Sequence, residues 1–442
     1  MGRKVVIFAA GSRGDLQPCV ALGRGLADRG DEVRLISSES YRGLIEDAGL
    51  AFRGLSLDPA KIVDSPEGQE LLSGGRNPAK FLRNMKRIAA PLAEKLLAEV
   101  DDGTDGADLV LAPTLGYLGA HIAEHRGIPH ALIHFQPSQP TGRFPHPFLP
   151  HARLLGPYAN RLTYEALDFV TWQLTRPFIN TWRTERLKLP PVSLLGPQRA
   201  ARTAPVLCAF SSVLVPRPAD WPDNVKLTGF WFLDQPHWEP SPELTAFLDA
   251  GPPPVYVGFG SMLPADPRET DLKVRTALRL AGFRGVLQGD PSTSEDDMFV
   301  VNNVPHSWLF PRMAAAVHHG GAGTTAESLR AGLPTLVCPF FGDQPYWADR
   351  VHALGAGPTP LPIRHLTVES LTSRLRTLPT PPHRTRAQTL ASSLNAEDGV
   401  ARACESLDLL QPLSELSGRQ ASSRRSGRPI LRAQSRAIAS PR

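Results

Sequence analysis

Residues 4–14 read KVVIFAAGSRG: an unbroken apolar run, then a glycine-bracketed turn. A run with no polar alternation is the mark of a strand covered on both faces, as in a parallel sheet. Val20, Leu22, Leu26 and Ala27 follow at roughly helical spacing, and the pattern stops at Gly30. Residues 32–36 give the next strand. Strand, turn, helix and strand in that order predict a doubly wound α/β domain. Residues 108–112 and 130–135 read as later strands of the same sheet.

The pattern restarts once. Residues 216–254 are rich in proline. Residues 255–259 (VYVGF) then form a strand, a Gly260-Ser261 turn follows, and a helix-like stretch runs to Arg279. Residues 314–319, 324–331 and 334–340 supply another strand, helix and strand. Two such halves enclose a cleft, and ligands of these sheets bind beyond the carboxyl ends of the strands. The expected division is residues 1–218, an interdomain linker at 219–254, a second domain at 255–410, and a disordered tail at 411–442.

Composition narrows the function. The 442 residues carry a net +5. Residues 411–442 hold seven arginines against one glutamate, so the tail carries +6 and the body −1. A neutral body argues against a nucleic-acid binder. A solvated extension is the bland reading of the tail, and a weak membrane-surface contact is the functional one. Four scattered cysteines give no disulfide framework and point to a reducing, cytoplasmic setting. No stretch approaches the ~20 apolar residues of a membrane span.

Three groups of residues could carry chemistry. The densest is HHGGAGTTAE, residues 318–327. Glycines allow close backbone approach, and the amides of a helix start attract phosphate. Thr324 and Glu327 also fit a capping box. Residues 321–326 match G-x-G-x-x-A, with Asp343 following the next strand, so a dinucleotide-dependent oxidoreductase is the competing reading. His318 and His319 are adjacent on a strand and face opposite ways, which disfavours a metal site. Second, Asp343 and Gln344 offer acceptors and an amide donor suited to a polyhydroxylated ligand; the bland role for Asp343 is a cap before Pro345. Third, Asp15 lies just beyond the first strand, where it could take a proton from a hydroxyl; its bland role is a helix N-cap. The Arg13-Gly14-Asp15 string does not support an adhesion motif in this setting. Ser261 is read either as an anion ligand or as a helix cap.

Residues 136–151 (QPSQPTGRFPHPFLPH) exclude regular structure and form a candidate binding loop. Residues 158–187 read as one helix, kinked at Pro177. Leu162, Ala166, Val170, Leu174, Phe178 and Trp182 make its apolar stripe, serving as acceptor surface or as ordinary core.

The strings GSRGDLQP (11–18), VPHSWLF (304–310), HHGGAGTTAE (318–327) and PFFGDQP (339–345) together resemble the UDP-glycosyltransferase superfamily. The likeness is nearest to sterol 3-beta-glucosyltransferases and bacterial natural-product glycosyltransferases, and covers residues 4–410. It implies a GT-B fold of two Rossmann-like domains. It also implies inverting, metal-independent O-glycosyl transfer with no cofactor beyond the nucleotide sugar as co-substrate. A hexose, read as glucose, would move from a nucleoside-diphosphate sugar, read as UDP-glucose, to a lipophilic acceptor such as a sterol, polyketide or flavonoid. By resemblance, Asp15 is the base. His319, Gly321, Gly323, Thr324 and Ser261 hold the diphosphate, and Glu327 the ribose. Asp343 and Gln344 hold the sugar. Ser12, Phe135, Phe144, Phe148 and Trp182 are the expected acceptor contacts. The chain departs from plant-type relatives in having Asn303 where they place a base-stacking tryptophan, which leaves uridine or thymidine open, with the Val304 backbone as the remaining contact. No aspartate stands near residues 113–115 to orient a catalytic histidine, which fits a carboxylate base. A non-catalytic activator subunit of the same fold is a further alternative.

Overall fold

The computed structural model describes residues 2–56, 94–113, 117–149, 156–196, 204–235, 238–262 and 264–410. The arginine-rich tail lies outside them.

The first half contains β1 (Lys4–Ala9), α1 (Arg13–Ala27), β2 (Glu32–Ser38), β3 (Ala51–Leu55), β4 (Leu109–Ala112), α2 (Tyr117–Arg126), β5 (His130–His134), α3 (Gly156–Glu185), β6 (Val206–Cys208) and β7 (Val225–Leu227). Its seven strands lie in the order β3-β2-β1-β4-β5-β6-β7, every neighbouring pair parallel. β1 shows why its sequence lacks alternation. Val5, Ile7 and Ala9 enter a core with Leu16 and Val20 of α1. Val6 and Phe8 enter the opposite core with Trp172, Ile179 and Trp182 of α3.

The second half contains β8 (Val255–Gly258), α4 (Pro267–Ala281), β9 (Gly285–Gln288), β10 (Met298–Val301), β11 (Ala315–His318), α5 (Ala322–Arg330), β12 (Thr335–Val337) and α6 (Gln344–Ala353). Its sheet runs β10-β9-β8-β11-β12, again parallel. This order repeats that of β3-β2-β1-β4-β5. The strand order of each sheet therefore reverses once, between β1 and β4 and between β8 and β11, and both candidate loops leave the sheets there.

Two boundaries differ from expectation. β7 lies inside the expected linker, so the first domain reaches Leu227 rather than residue 218. A three-residue strand among prolines leaves no periodicity to read. After α7 (Pro381–Asn395) the chain also returns: α8 (Gly399–Asp408) seats Ala403, Cys404 and Leu407 in the core beneath α1. The halves share a further core in which Cys208 and Phe210 meet Trp347 and Leu329. All four cysteines are buried and unpaired.

Candidate active site

The turn after β1 presents a carboxylate. Ser12, not Asp15, is the N-cap of α1, and Asp15 is the third helical residue. Asp15 Oδ2 accepts from the Ser12 amide at 2.8 Å and from Ser12 Oγ at 3.0 Å. Oδ1 accepts no hydrogen bond among the described residues. The acid therefore closes a capping box with one oxygen and leaves the other uncommitted. Gly11 makes room, since a Cβ there would fall 2.6 Å from Asp15 Cγ. Burial raises the Asp15 pKa, and the Ser12 hydrogen bonds oppose it. Arg13, next to it, donates across the cleft to Asn303. The sequence reading passed over Arg13, although it lies inside the same string.

The turn after β11 presents amides. His318 is fully buried; its Nδ1 accepts from the Gly320 amide at 3.0 Å and its Nε2 faces Ser328 Oγ at 3.4 Å. It braces the turn and is no ligand. Gly320 has φ +94°, which a residue with a side chain adopts only under strain. His319 is wedged between Gly260 and Gly321; a Cβ on Gly321 would lie 2.6 Å from its Nε2. Burial lowers its pKa to about 4, with the Gly258 carbonyl opposing, so the ring is neutral at pH 7. Gly321 is the N-cap of α5, and the first helical bond is Thr325 N to Gly321 O at 2.9 Å. The amides of Ala322, Gly323 and Thr324 therefore have no partner within the helix. The capping box expected between Thr324 and Glu327 does not form, because the helix begins two residues before Thr324. Glu327 is left free of capping duty, and burial raises its pKa to about 7, with Arg330 opposing. Ser261 is exposed beyond β8 and is not a cap either: Asp266 caps α4. Gln288, which the sequence reading missed, holds this loop by accepting from the Gly260 amide at 2.7 Å. Val304 is partly buried beside Trp308.

Asp343 is the N-cap residue of α6 by position but makes no capping bond. Its Oδ2 accepts from Trp347 Nε1 at 2.8 Å. Burial raises its pKa to about 6, the Trp347 bond opposes, and the Asp15 charge adds to the rise. The two acids are thus close enough for their charges to interact. Gln344 is less available than expected. Its Oε1 accepts the amides of Phe340 at 2.8 Å and Phe341 at 3.3 Å. Only its amide group remains to meet a ligand.

The acceptor contacts divide. Ser12 is exposed at the cleft. Phe144 packs on Tyr346 of α6, ring centroids 5.6 Å apart. Phe148 is 45% exposed and borders Gly342 of the Asp343 loop. Phe135 and Trp182 do not join them. Phe135 is 8% exposed, edge-on to Trp231, and Trp182 is 5% exposed, edge-on to His121; both are core. The α3 stripe fails for a geometric reason. Steps of four residues overshoot the helical turn by about 40° each, so five steps wind about 200° around the axis. Leu162 is accordingly 60% exposed and Val170 42%, while only the far end of the stripe reaches the core. The buried face is Tyr164, Trp172, Ile179 and Trp182, and the helix continues through Pro177.

Comparison with known proteins agrees with this architecture. Residues 5–145 match the glycosyltransferase family 28 N-terminal domain, and residues 289–407 match the erythromycin biosynthesis protein CIII-like C-terminal domain. An O-mycaminosyltylonolide 6-deoxyallosyltransferase of Streptomyces fradiae is 37% identical over 91% of this chain and 96% of its own. A sterol 3-beta-glucosyltransferase of Arabidopsis thaliana is 36% identical over 90% of this chain, which spans 64% of that relative's length. Among solved structures, the glycosyltransferase of kitacinnamycin superposes with a TM-score of 0.65 at 20% identity, over 92% of this chain and 98% of its own. Glycosyltransferase VinC in complex with dTDP superposes with a TM-score of 0.63 at 20% identity, over the same shares.

Proposed function

The chain belongs to the glycosyltransferase family that includes sterol 3-beta-glucosyltransferases and bacterial natural-product glycosyltransferases, and from that premise we propose an inverting O-glycosyltransferase that uses a nucleoside-diphosphate hexose, UDP-glucose first, and a lipophilic acceptor. The observation that carries this is the pairing of a half-free carboxylate, Asp15, with uncommitted amides and a neutral histidine on the facing loop.

The acceptor hydroxyl forms a bond to the anomeric carbon as the bond to the diphosphate breaks, and its proton passes to Asp15 Oδ1. An ordinary aspartate is a weak base for an alcohol, so a carboxylate whose pKa is raised by burial is better matched. The departing diphosphate gains charge as the bond breaks. It meets the amides of Ala322, Gly323 and Thr324, the positive end of α5, and the His319 ring. In this reading those groups, not a metal, neutralise the leaving group. Glu327 takes the ribose, and Asp343 with the Gln344 amide takes sugar hydroxyls. Phe144 and Phe148 border the acceptor, and the family's sterol and macrolide chemistry points to a flat or cyclic apolar aglycone. The family assignment favours the transferase over the oxidoreductase and activator-subunit readings.

A mass-spectrometric screen of UDP-glucose and dTDP-sugars against sterols, macrolide aglycones and polyphenols tests the proposal. A product heavier than the acceptor by one hexose unit from UDP-glucose supports it. Tight NAD(H) binding with no UDP or dTDP binding overturns it.

A further inference from the structure

Glu327 stands at the end of a short chain of groups leading out of the donor site. Its carboxylate receives no hydrogen bond among the described residues. The nearest cation is Arg330, one turn on in α5, with Nη1 3.9 Å from Glu327 Oε1. That nitrogen is buried and has no hydrogen-bond partner. The other, Nη2, donates to both oxygens of Asp234 at 2.9 Å. The guanidinium lies over the Phe232 ring, 4.3 Å from its centroid. Asp234 and Phe232 belong to the segment between β7 and β8, which joins the two halves. Asn395 of α7 donates to the Arg330 carbonyl at 3.0 Å and fixes the backbone from the other side.

This arrangement is costly unless it is used. Arg330 is held over the Phe232 ring with Nη2 on both oxygens of Asp234, and its planar guanidinium keeps Nη1 aimed elsewhere, a division of labour that lysine's single nitrogen cannot reproduce. Pinned so, it turns a donor with no partner toward a carboxylate that it does not reach. The distance is too long for a hydrogen bond but short enough for charge to orient the acid. A ligand hydroxyl that donates to Glu327 completes the set.

We propose, resting on the sugar-nucleotide reading above, that Arg330 is a positioning residue for ribose recognition: held by Asp234 and Phe232 of the interdomain segment, it orients Glu327 toward the ribose hydroxyls of the donor. Donor selection between ribo- and deoxyribonucleotides is then set partly by residues outside the nucleotide loop.

The test compares UDP with 2′-deoxy-UDP, by calorimetric affinity, in the full chain. Wild type prefers UDP by roughly ten- to hundred-fold, the scale of hydrogen bonds to a charged group. In Arg330→Met that preference collapses toward unity while 2′-deoxy-UDP affinity changes little; Asp234→Asn falls between. Arg330→Lys keeps the charge without the fork and recovers only part of the preference, which guards against misfolding of the Met variant. An Arg330→Met or Arg330→Lys protein that retains the full wild-type ratio, or loses both ligands equally, overturns the inference. So does a wild type that binds both ligands equally, leaving the transferase reading intact. A wild type that binds neither UDP, dTDP nor their sugars defeats the transferase reading itself.

Discussion

The turns after β1 and after β11 are built alike and charged oppositely. Each follows the strand beside which its sheet reverses, each passes through glycine, and each starts a helix whose N-terminus faces the cleft. The first fills that N-terminus from within: Ser12 and Asp15 close a capping box, and the surplus is a carboxylate oxygen. The second leaves it open: Gly321 has no side chain to cap with, and the surplus is three amides. One backbone geometry thus leaves a carboxylate oxygen on one wall and bare amides on the other, according to which residues stand at the cap and third helical positions.

That contrast can be broken at several points. The largest effect is expected from Asp15→Asn, which keeps a capping side chain but abolishes the base. Turnover falls roughly 10²–10⁴-fold in steady-state assays with both substrates saturating, and donor affinity hardly moves. Wild-type turnover would make Asp15 a cap and nothing more. His319→Ala removes the ring from the receptor wall. It should cost about 10²–10³-fold in kcat/KM for the donor, with circular dichroism showing an intact fold. Gly11→Ala removes no reacting group but pushes the Asp15 carboxylate aside. A misplacement of that kind costs on the order of 10²-fold in turnover at unchanged donor affinity.

Acidity probes the receptor wall next. Glu327 and Asp343 have pKa values raised to about 7 and about 6, and only their ionised forms accept hydroxyl protons fully. Donor affinity should therefore hold above pH 7 and weaken as pH falls through 7 and then 6. Calorimetric titration with UDP-glucose from pH 8 to 5.5 follows it; an affinity flat across that range refutes ribose and sugar contacts through these two acids. The smallest structural change is Gly323→Ala. A Cβ there meets nothing within 4 Å, so the fold gains slightly, by about 0.5–1 kcal/mol on thermal melting. Any loss of UDP affinity then reports a phosphate lying against that backbone.

The legible parts of the molecule were those with a local signature. β1 could be read because burial on both faces removes alternation, and Asp15 because it stands in the turn directly beyond it. The tight turn after β11 was legible from its glycines alone. What escaped had no local signature. Steps of four on α3 look like one face over two turns and cease to be one over six. β7 is too short to show a period. The caps were misassigned: Ser12 caps in place of Asp15, Gly321 in place of Thr324 and Asp266 in place of Ser261, because several residues near a helix start can serve the same role. Gln344 looked like a ligand, yet its carbonyl oxygen is taken by the amides of its own loop. Arg13 to Asn303 and Arg330 to Asp234 pair residues far apart in sequence, across domain and linker, and only the folded chain brings them together.

The return of α8 to the first domain carries a consequence for synthesis. Ala403, Cys404 and Leu407 complete the core beneath α1, whose members on β1, α1 and β2 emerge from the ribosome hundreds of residues earlier. During translation the amino-terminal sheet therefore waits with an apolar face unsealed until nearly the whole second domain has been made. The two lobes are tied by order of manufacture as well as by a linker, and severing the gene between them should yield halves that need each other to stay in solution.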